Sequence, residues 1–321
     1  MPRPERVAPD ALTSGVLVID KPEGVTSTSV VTRVKKCLRM KKVGHCGTLD
    51  PFATGVLLIC LNQATRLADQ LLDQHKIYRF SLRFGMETDT LDGTGRMVNR
   101  YEGAAMTEAD LRQSLDRFQG SYVQQVPRFA AVKIQGQRLY TLSRKGIEVT
   151  PPSREVHIRD LSLLSYTWPE AVLEAHCSKG TYIRQLGADI GRDLGCGAYV
   201  SALRRMASGS FRVEDAVPLA DLHELEAAGN WLERLIPLTE AVPHLPAVRV
   251  EDEEMIARLR NGQMGVSWES EHRMRFPGYE GPVRIVIARD NSLAALWWPQ
   301  DAHGRRLRVF QPAAGPIFDV E

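Results

Sequence analysis

The chain has 321 residues, of which 43% are hydrophobic and 25% charged, and its formal net charge is +2 at pH 7. These proportions are typical of a folded globular protein and exclude a disordered or collagen-like chain. No apolar stretch approaches the ~20 residues of a membrane helix, and five cysteines without a Cys-x-x-Cys pair favour reduced thiols in the cytoplasm over disulfides or a zinc site.

The first predicted elements are a strand and a helix that follow a short leader. Residues 1–13 lack the apolar core of a signal peptide and are predicted to form a loose leader. An apolar run predicts a strand over 15–20, which ends in a Pro- and Gly-containing turn at 21–24. The hydroxyl side chains at 26–29 can cap a helix, which we predict over 29–40.

The stretch 44–55 (GHCGTLDPFATG) is predicted to be a shaped loop, because its three glycines and one proline interrupt regular elements. It carries one carboxylate, Asp50, and one imidazole, His45. The apolar run 56–61 predicts a buried strand behind it, and a loop held by such a strand is a common place for catalytic groups. The alternative is an ordinary surface turn, in which Asp50 bonds its own backbone.

The distribution of charge around this loop favours a functional role. Residues 24–49 contain six Lys and Arg side chains and no acid, so that Asp50 is the first carboxylate after a basic run. A second acid-free span, 117–147, also holds six basic side chains, interleaved with Phe129 and Tyr140. Basic residues with aromatics fit contacts to the phosphates and bases of RNA; a solvated surface is the alternative.

Further elements are predicted in chain order from periodicity and capping signals. They are a short helix over 64–72, a strand over 76–84, a polar loop at 85–95, a helix ending at 118, strands near 154–165 and 171–177, and a helix over 182–194. The segment 214–257 has eleven acids and two arginines, and we expect it to face away from a polyanion.

We predict two domains after the leader. The catalytic domain covers 14–245, with an RNA-binding insertion at about 120–150, and prolines mark a boundary near 246. The domain at 246–321 is predicted to be mostly β. Its predicted elements are a helix over 252–260 and strands near 283–288, 293–298 and 306–310.

Six segments, in order across about residues 15–215, resemble motifs of the TruB family of tRNA pseudouridine synthases. They are GVLVIDKP at 15–22 with Gly24 and Thr26-Ser27, the loop at 44–55, Ile77-Tyr78 with Thr88-Asp89-Thr90, the span 133–140, GTYIR at 180–184 and LRR at 203–205. One departure is Ala130, where the family often has Ser. The resemblance implies an α/β fold of the α+β type: a mixed, largely antiparallel sheet with flanking helices, an active-site cleft on its face, and a PUA-like C-terminal module.

The resemblance also implies the reaction, which is isomerisation of uridine 55 in the TΨC loop of tRNA without cofactor or metal. By matching position, Asp50 is the catalytic carboxylate. It would attack the sugar C1′ or the base, or remove a sugar proton, and the sequence leaves these open. Arg184 matches the arginine that favours the charged form of this acid; a phosphate contact or surface ion pair is the alternative.

The remaining matched positions would bind the target. Tyr78 matches the tyrosine that stacks on the uracil and is a candidate for proton removal from C5. Tyr182 and Leu203 match residues lining the uracil pocket, although each could be plain core. His45 matches the histidine that takes the place of the flipped base, since a buried base must be extruded before it can react. Two basic-span residues, Lys133 and Arg144, are predicted to bind RNA.

Two other functions compete with this interpretation. A tRNA-binding or folding protein would use the basic spans without the chemistry, alone or beside it. A guide-RNA-directed enzyme of the dyskerin branch would keep the chemistry but act on rRNA. The small C-terminal module and the lack of long basic tails count against the latter, and we predict a monomer that acts on tRNA without a guide RNA.

Overall fold

The computed structural model describes residues 13–130, 132–134, 137–138, 150–300 and 307–311. In chain order the strands are β1 Gly15–Lys21, β2 Val43–Cys46, β3 Thr54–Leu61, β4 Lys76–Phe84, β5 Met86–Thr88, β6 Met97–Arg100, β7 Gly120–Gln125, β8 Lys133–Ile134, β9 Gln137–Arg138, β10 Ser153–Thr167, β11 Glu170–Cys177, β12 Ala198–Ser208, β13 Phe211–Arg212, β14 Val217–Pro218, β15 Leu235–Ile236, β16 Ala247–Val250, β17 Val283–Ile287, β18 Leu293–Trp297 and β19 Leu307–Val309. The α-helices are α1 Ser27–Cys37, α2 Ala68–Leu72, α3 Glu108–Arg117, α4 Ile183–Asp193, α5 Leu222–Ala228, α6 Leu238–Ala241, α7 Glu253–Arg260 and α8 Val266–Arg273.

Eleven of the described strands form one mixed sheet. Its main path runs β14-β1-β3-β12-β4-β11-β10-β7, with β2, β13 and β15 paired at its sides. The β1–β14 and β3–β12 pairs are parallel, and the other pairs along the path are antiparallel. The predicted mixed, largely antiparallel sheet with flanking helices is therefore confirmed.

The central strands β1 and β3 are buried on both faces, which explains their unbroken apolar runs. On one face Leu17 and Ile59 pack in a core with Val30 and Val34 of α1. On the other face Val18 packs with the 3₁₀ helix Asn62–Leu67, α2 and part of the C-terminal module. The first face, which carries α1, α3 and α4, also carries the cleft described below.

Several predicted boundaries change in the structure. Helix α1 begins at Ser27, because the Thr26 side chain accepts a hydrogen bond from the backbone N–H of Ser29 and so acts as its cap. The predicted loop 44–55 is shorter, since its first three residues extend β2, which pairs with β3. The predicted helix over 64–72 is a 3₁₀ helix followed by α2.

The sequence pattern missed strand β12, the central strand that lies between β3 and β4. Its pattern, AYVSALRRMAS, does not alternate cleanly, because β-bulges interrupt its pairing with β4 after Val200 and Arg205. Arg205 is also only 1% exposed. An arginine in the core is uncommon. From the sequence alone, the pair Arg204-Arg205 therefore favours an exposed segment over a buried strand.

The C-terminal module has its own four-stranded sheet, β16-β17-β18-β19, with β16 and β17 parallel. The strands β17, β18 and β19 match the three predicted ones, and α7 matches the predicted helix; β16 and α8 were not predicted. Leu296 and Phe310 of this module pack against the second face of the large sheet. Among the described residues, no helix is long and apolar enough to cross a membrane.

Candidate active site

A cleft of about 700 Å³ opens on the large sheet, beside the N-terminus of α4. Its described lining includes five of the predicted site residues: Asp50, Tyr78, Tyr182, Arg184 and Leu203. These residues come from a loop, two strands and the start of a helix, and they span more than 150 positions of the chain. A volume of this size is within the ordinary range for ligand pockets.

Asp50 and Arg184 form a two-point ion pair at the cleft. The Nε of Arg184 donates to Asp50 Oδ2 at 2.8 Å, and its Nη2 donates to Oδ1 at 3.3 Å. The Arg184 side chain is 5% exposed, whereas that of Asp50 is 35% exposed. The carboxylate is therefore reachable from the cleft, and the guanidinium behind it is not. Such a two-point contact fixes the orientation of the acid.

Three further contacts hold the Arg184 guanidinium. Its Nη1 donates to the backbone carbonyl of Thr90 at 2.8 Å, and its Nη2 donates to that of Phe129 at 3.0 Å. The carboxylate of Asp92 lies 3.6 Å from Nη1 and is 6% exposed. Since a guanidinium presents its donors in one plane, these contacts leave the fork that faces Asp50 little freedom to turn.

Asp92 is a site residue that the sequence analysis did not identify. Its Oδ1 accepts hydrogen bonds from the hydroxyls of Thr90 at 2.8 Å and Thr94 at 2.5 Å. The backbone of its neighbour Gly93 donates to the carbonyl of Val200 on β12 at 3.1 Å. The only sequence signal was an Asp between threonines in the polar loop 85–95, which by itself indicates a turn.

Backbone contacts on both sides of Asp50 hold its loop. The Ser27 hydroxyl accepts from the backbone N–H of Leu49 at 2.9 Å and donates to its carbonyl at 3.1 Å. The backbone N–H of Gly24 donates to the carbonyl of Pro51 at 2.8 Å. Lys21, which is fully buried, donates from Nζ to the same carbonyl at 3.1 Å. The TruB-like segment at 15–27 thus supports the loop that carries Asp50.

Lys21 should make stability depend on pH. Burial lowers its pKa from 10.5 to about 8, and the nearby Asp50 carboxylate opposes this shift. Between pH 8 and 10.5 the native protein has lost this proton while the unfolded chain keeps it. The contribution of Lys21 to the free energy of unfolding therefore rises with pH across that window, by up to about 3 kcal/mol, and is constant below it.

Urea unfolding at pH 7, 8, 9 and 10 tests this expectation with Lys21→Met. The difference in free energy of unfolding between wild type and variant should grow in favour of wild type above pH 8. Lys35→Met, at an exposed position on α1, should run parallel to wild type. A constant difference between wild type and Lys21→Met would contradict the prediction.

Tyr78 and Leu203 enter the cleft from adjacent strands, β4 and β12. Leu203 pairs with Phe80 in the antiparallel ladder, and Tyr78 pairs with Arg205. Burial raises the pKa of Tyr78, while the positive charge of Arg205 and a hydrogen bond from it oppose that rise. The phenol ring is half-buried, so that it can offer a face to a planar ligand.

Tyr182 is held by a side chain that the sequence analysis missed. Gln124 of β7 is fully buried, accepts from the backbone N–H of Tyr182 at 2.8 Å and donates to its carbonyl at 3.1 Å. The guanidinium of Arg154 lies 5.4 Å from the centre of the Tyr182 ring. This clamp fixes the residue directly before α4, and hence the start of the helix that carries Arg184.

The other three predicted residues are not part of the described lining. His45 lies on β2, opposite Ile59, rather than in the loop with Asp50, because the strand extends through Cys46. Burial and the charge of Arg205 lower the pKa of His45, so its ring is neutral near pH 7. For Lys133 only the backbone of the β8–β9 pair is described, and Arg144 lies outside the described residues.

Within the described part of the chain, no group of three or more His, Cys, Asp or Glu side chains could hold a metal ion. The polar groups that line the cleft include the carboxylate of Asp50 with its guanidinium partner, the phenols of Tyr78 and Tyr182, and further charged side chains such as Glu155 and Lys76. This set can supply a nucleophile or base, a fixed positive charge and a stacking surface.

Comparison with known families gives two matches along the chain. Residues 35–183 match the TruB family pseudouridylate synthase (N terminal domain), and residues 184–242 match the tRNA pseudouridylate synthase B C-terminal domain. The first match ends at Ile183, so the two members of the ion pair fall in adjacent matched regions.

Curated relatives resemble most of the chain. The tRNA pseudouridine synthase B of Syntrophobacter fumaroxidans is 57% identical over 300 residues, covering 93% of this chain and 98% of the relative. That of Geobacter sulfurreducens is 39% identical over 303 residues, covering 92% of this chain and 99% of the relative.

Solved structures with a similar fold include chains of two multi-component complexes. A chain from a Cbf5–Nop10–Gar1 complex is 26% identical, with a TM-score of 0.69, covering 93% of this chain and 85% of that one. A chain from an H/ACA RNP bound to a substrate RNA containing 2′-deoxyuridine is 25% identical, with a TM-score of 0.69, covering 95% of this chain and 87% of that one.

Proposed function

Because the chain belongs to the TruB family of pseudouridylate synthases, which are isomerases that convert uridine to pseudouridine in tRNA, we propose that its target is uridine 55 in the TΨC loop. We also propose that Asp50 is its catalytic carboxylate. The observation that carries the assignment of Asp50 is its ion pair with Arg184. This acid is oriented at two points, is open to the cleft and lies on the same lining as Tyr78.

The reaction breaks the N1–C1′ bond, turns the detached base and forms a C5–C1′ bond, while the proton on C5 is lost and N1 gains one. Asp50 can act in the first stage as a nucleophile on C1′ or on the base, or as a base towards a sugar proton. Each role needs a carboxylate oxygen that faces the substrate, and the two-point contact with Arg184 orients the group for this.

We propose that Tyr78 acts on the uracil ring of the target. Its ring can stack on the uracil, and its hydroxyl is our candidate for accepting the C5 proton in the last stage. Leu203 and Tyr182 complete the pocket around the ring. The described lining also holds Glu155, Lys76 and Lys179. We assign the two proton-transfer roles to Asp50 and Tyr78 because both match the family's motif positions and line the same cleft.

The proposed target must leave its stack before it can enter the cleft. Extruding a base from a folded loop costs a few kcal/mol, and a planar ring that fills the gap offsets part of that cost. The half-buried, neutral imidazole of His45, which lies on the strand next to the Asp50 loop, suits this role. We propose that it occupies the position of the extruded base.

We propose that the enzyme acts on tRNA without a guide RNA. Relatives of 57% and 39% identity over nearly the whole chain are tRNA enzymes by name, whereas the similar chains from the Cbf5–Nop10–Gar1 complex and from the H/ACA RNP are 26% and 25% identical. The closer relatives therefore favour recognition of tRNA by the protein itself. The basic span 24–49 can supply phosphate contacts for that recognition.

Release of tritium from C5-labelled uridine in a free, unmodified TΨC stem-loop tests the proposal. We expect release by the wild-type protein with no added metal, guide or partner. A stem-loop labelled at a single other uridine is the control and should release nothing. Binding without release from the labelled position 55 would overturn the proposed target.

A further inference from the structure

Arg205 is a cation in the core that the reaction scheme above leaves without a role. It lies on β12 and is 1% exposed, yet its side chain is part of the cleft lining. In the antiparallel ladder it stands directly opposite Tyr78, and in the parallel ladder on the other side it stands opposite Gly55. It therefore lies between the strand that carries the tyrosine and the strand that ends the Asp50 loop.

The guanidinium of Arg205 binds neutral oxygens on both sides. Its Nε donates to the carbonyl of Val56 at 2.6 Å and its Nη2 to the carbonyl of Gly47 at 2.9 Å. In the ladder with β4 the same residue stands opposite Tyr78, and both side chains line the cleft. Arg205 thus lies between Gly47, which is the first residue after β2 and three positions before Asp50, and the strand that carries the phenol.

None of the described carboxylates forms an ion pair with Arg205, in contrast to Arg184 and Arg204. Arg184 pairs with Asp50 at 2.8 Å, and Arg204 pairs with Asp20 at 2.6 Å. A buried charge is costly unless it is paired. The positive charge of Arg205, held by two carbonyls at the edge of the cleft, is therefore available to an anionic group that forms there.

The backbone on both sides leaves room for Arg205 only because two loop residues are glycines. Gly47 has φ of +82°, and a Cβ there would lie 3.2 Å from Arg205 Nη1. Gly55 has φ of +98°, and a Cβ there would lie 2.2 Å from the Arg205 carbonyl oxygen. Gly47 and Gly55 are therefore needed because β12 and the Arg205 side chain lie directly against the backbone at these two positions.

We propose that Arg205 is a positioning residue that presents the Tyr78 hydroxyl to C5 of the detached base and stabilises the negative charge on that oxygen. In this step Tyr78 reacts as a phenolate, because its own proton has passed to N1 of the base. The C5–H bond breaks, the proton goes to the phenolate oxygen and restores the phenol, and the electron pair of the bond restores the C5–C6 double bond of the product. No oxidant or further reactant is required. The inference rests on the proposed function, because it assigns proton removal from C5 to Tyr78.

The direction of the Tyr78 pKa agrees with this arrangement. Burial raises it, and Arg205 is the group that opposes the rise through both its charge and its hydrogen bond. Without that charge, the phenol would hold its proton more tightly and would be a poorer partner for the C5 proton at neutral pH.

The test is a single-turnover measurement on the TΨC stem-loop, with the target carrying either hydrogen or deuterium at C5. Wild type and the variants Arg205→Gln and Arg205→Lys are compared. We expect Arg205→Gln to be slowed by about 10- to 100-fold and its deuterium isotope effect to rise above about 2, because proton removal from C5 then limits the rate. Arg205→Lys keeps the positive charge but lacks the planar guanidinium. Its rate and isotope effect should lie between those of wild type and Arg205→Gln.

Arg204→Gln is the matched control, since it removes the neighbouring guanidinium, whose 39% exposed side chain pairs with Asp20. It should change the rate less than about threefold and leave the isotope effect at the wild-type value. A second control combines Arg205→Gln with Tyr78→Phe. If Arg205 acts through the tyrosine, the double variant should be no slower than Tyr78→Phe alone.

Two outcomes would overturn the inference. One is a slowed Arg205→Gln with an unchanged isotope effect, which a general loss of structure would produce; the other is full additivity with Tyr78→Phe. If Arg205→Gln does not fold, the same criteria apply to Arg205→Lys. Failure of the wild type to release C5 hydrogen would instead overturn the proposed function, and is thereby distinguished from failure of the Arg205 role alone.

Discussion

Replacing Asp50 with asparagine is expected to abolish pseudouridine formation while tRNA binding stays within a few fold of wild type. Asparagine keeps the size of the side chain and can still accept one hydrogen bond from Arg184, but it has neither a negative charge nor a basic oxygen. Loss of a group that reacts directly lowers the rate by on the order of 10⁴-fold or more. The 35% exposure of the Asp50 side chain limits the structural cost of losing its charge.

The measurement is tritium release from C5-labelled uridine, paired with a binding assay on the same stem-loop. Asp89→Asn is the matched control, because Asp89 is an exposed aspartate in the polar loop next to Asp92 and accepts only a local backbone hydrogen bond from Arg96. It should release tritium at the wild-type rate. Turnover near wild type by Asp50→Asn would remove Asp50 from the chemistry.

The same variant separates the enzyme from the folding alternative. If the protein also helps misfolded tRNA to refold, Asp50→Asn should retain that activity, since opening the TΨC loop uses binding contacts rather than the carboxylate. A refolding assay in which neither wild type nor variant accelerates the process would argue against the second role.

Elements with regular periodicity or clear caps could be predicted from the sequence. Strand β4 was predicted at its full length because its apolar positions alternate, and α3 because Thr107 and Asp110 form a capping box. The unbroken run of β3 likewise indicated a strand buried on both faces. In these cases the local pattern and the tertiary environment favour the same structure.

Buried polar residues that hold the site from within the core could not be predicted in this way. Asp92, Gln124 and Arg205 are each at most 4% exposed, and each is buried only because a partner distant in the chain satisfies it. Nothing within a few positions of Gln124 indicates that its amide will clamp the backbone of Tyr182, 58 residues later. The family motifs placed Arg184 beside Asp50, whereas local periodicity alone would have left it as a basic residue on a helix.

Replacing Arg184 with lysine should cost both activity and stability, even though the charge is kept. A lysine has one nitrogen and cannot reach both oxygens of Asp50 and the carbonyls of Thr90 and Phe129 together. Buried acceptors would lose their donor, which costs about 1–3 kcal/mol of stability. The freed Asp50 carboxylate could rotate away from the substrate, and we expect turnover to fall on the order of 10²-fold or more.

Arg184→Met should be worse for stability, because it leaves the 6% exposed carboxylate of Asp92 without a positive neighbour. Removing one partner of a buried pair typically costs about 3–5 kcal/mol. Adding Asp92→Asn to Arg184→Met should therefore recover part of that loss, although it cannot recover the activity. Urea unfolding and single-turnover kinetics on the same proteins measure the two effects separately.

Arg192→Lys is the internal control for this series, since Arg192 lies on the same helix, α4. Its guanidinium is 52% exposed and pairs with Glu87 at 3.2 Å, a type of contact worth at most about 1 kcal/mol. It should leave both turnover and stability almost unchanged. If Arg184→Lys behaved like Arg192→Lys, charge alone would be enough at the cleft. A strong loss confined to Arg184 would mean that the geometry of the guanidinium fork, fixed by two backbone carbonyls and Asp92, is what holds Asp50 ready to react.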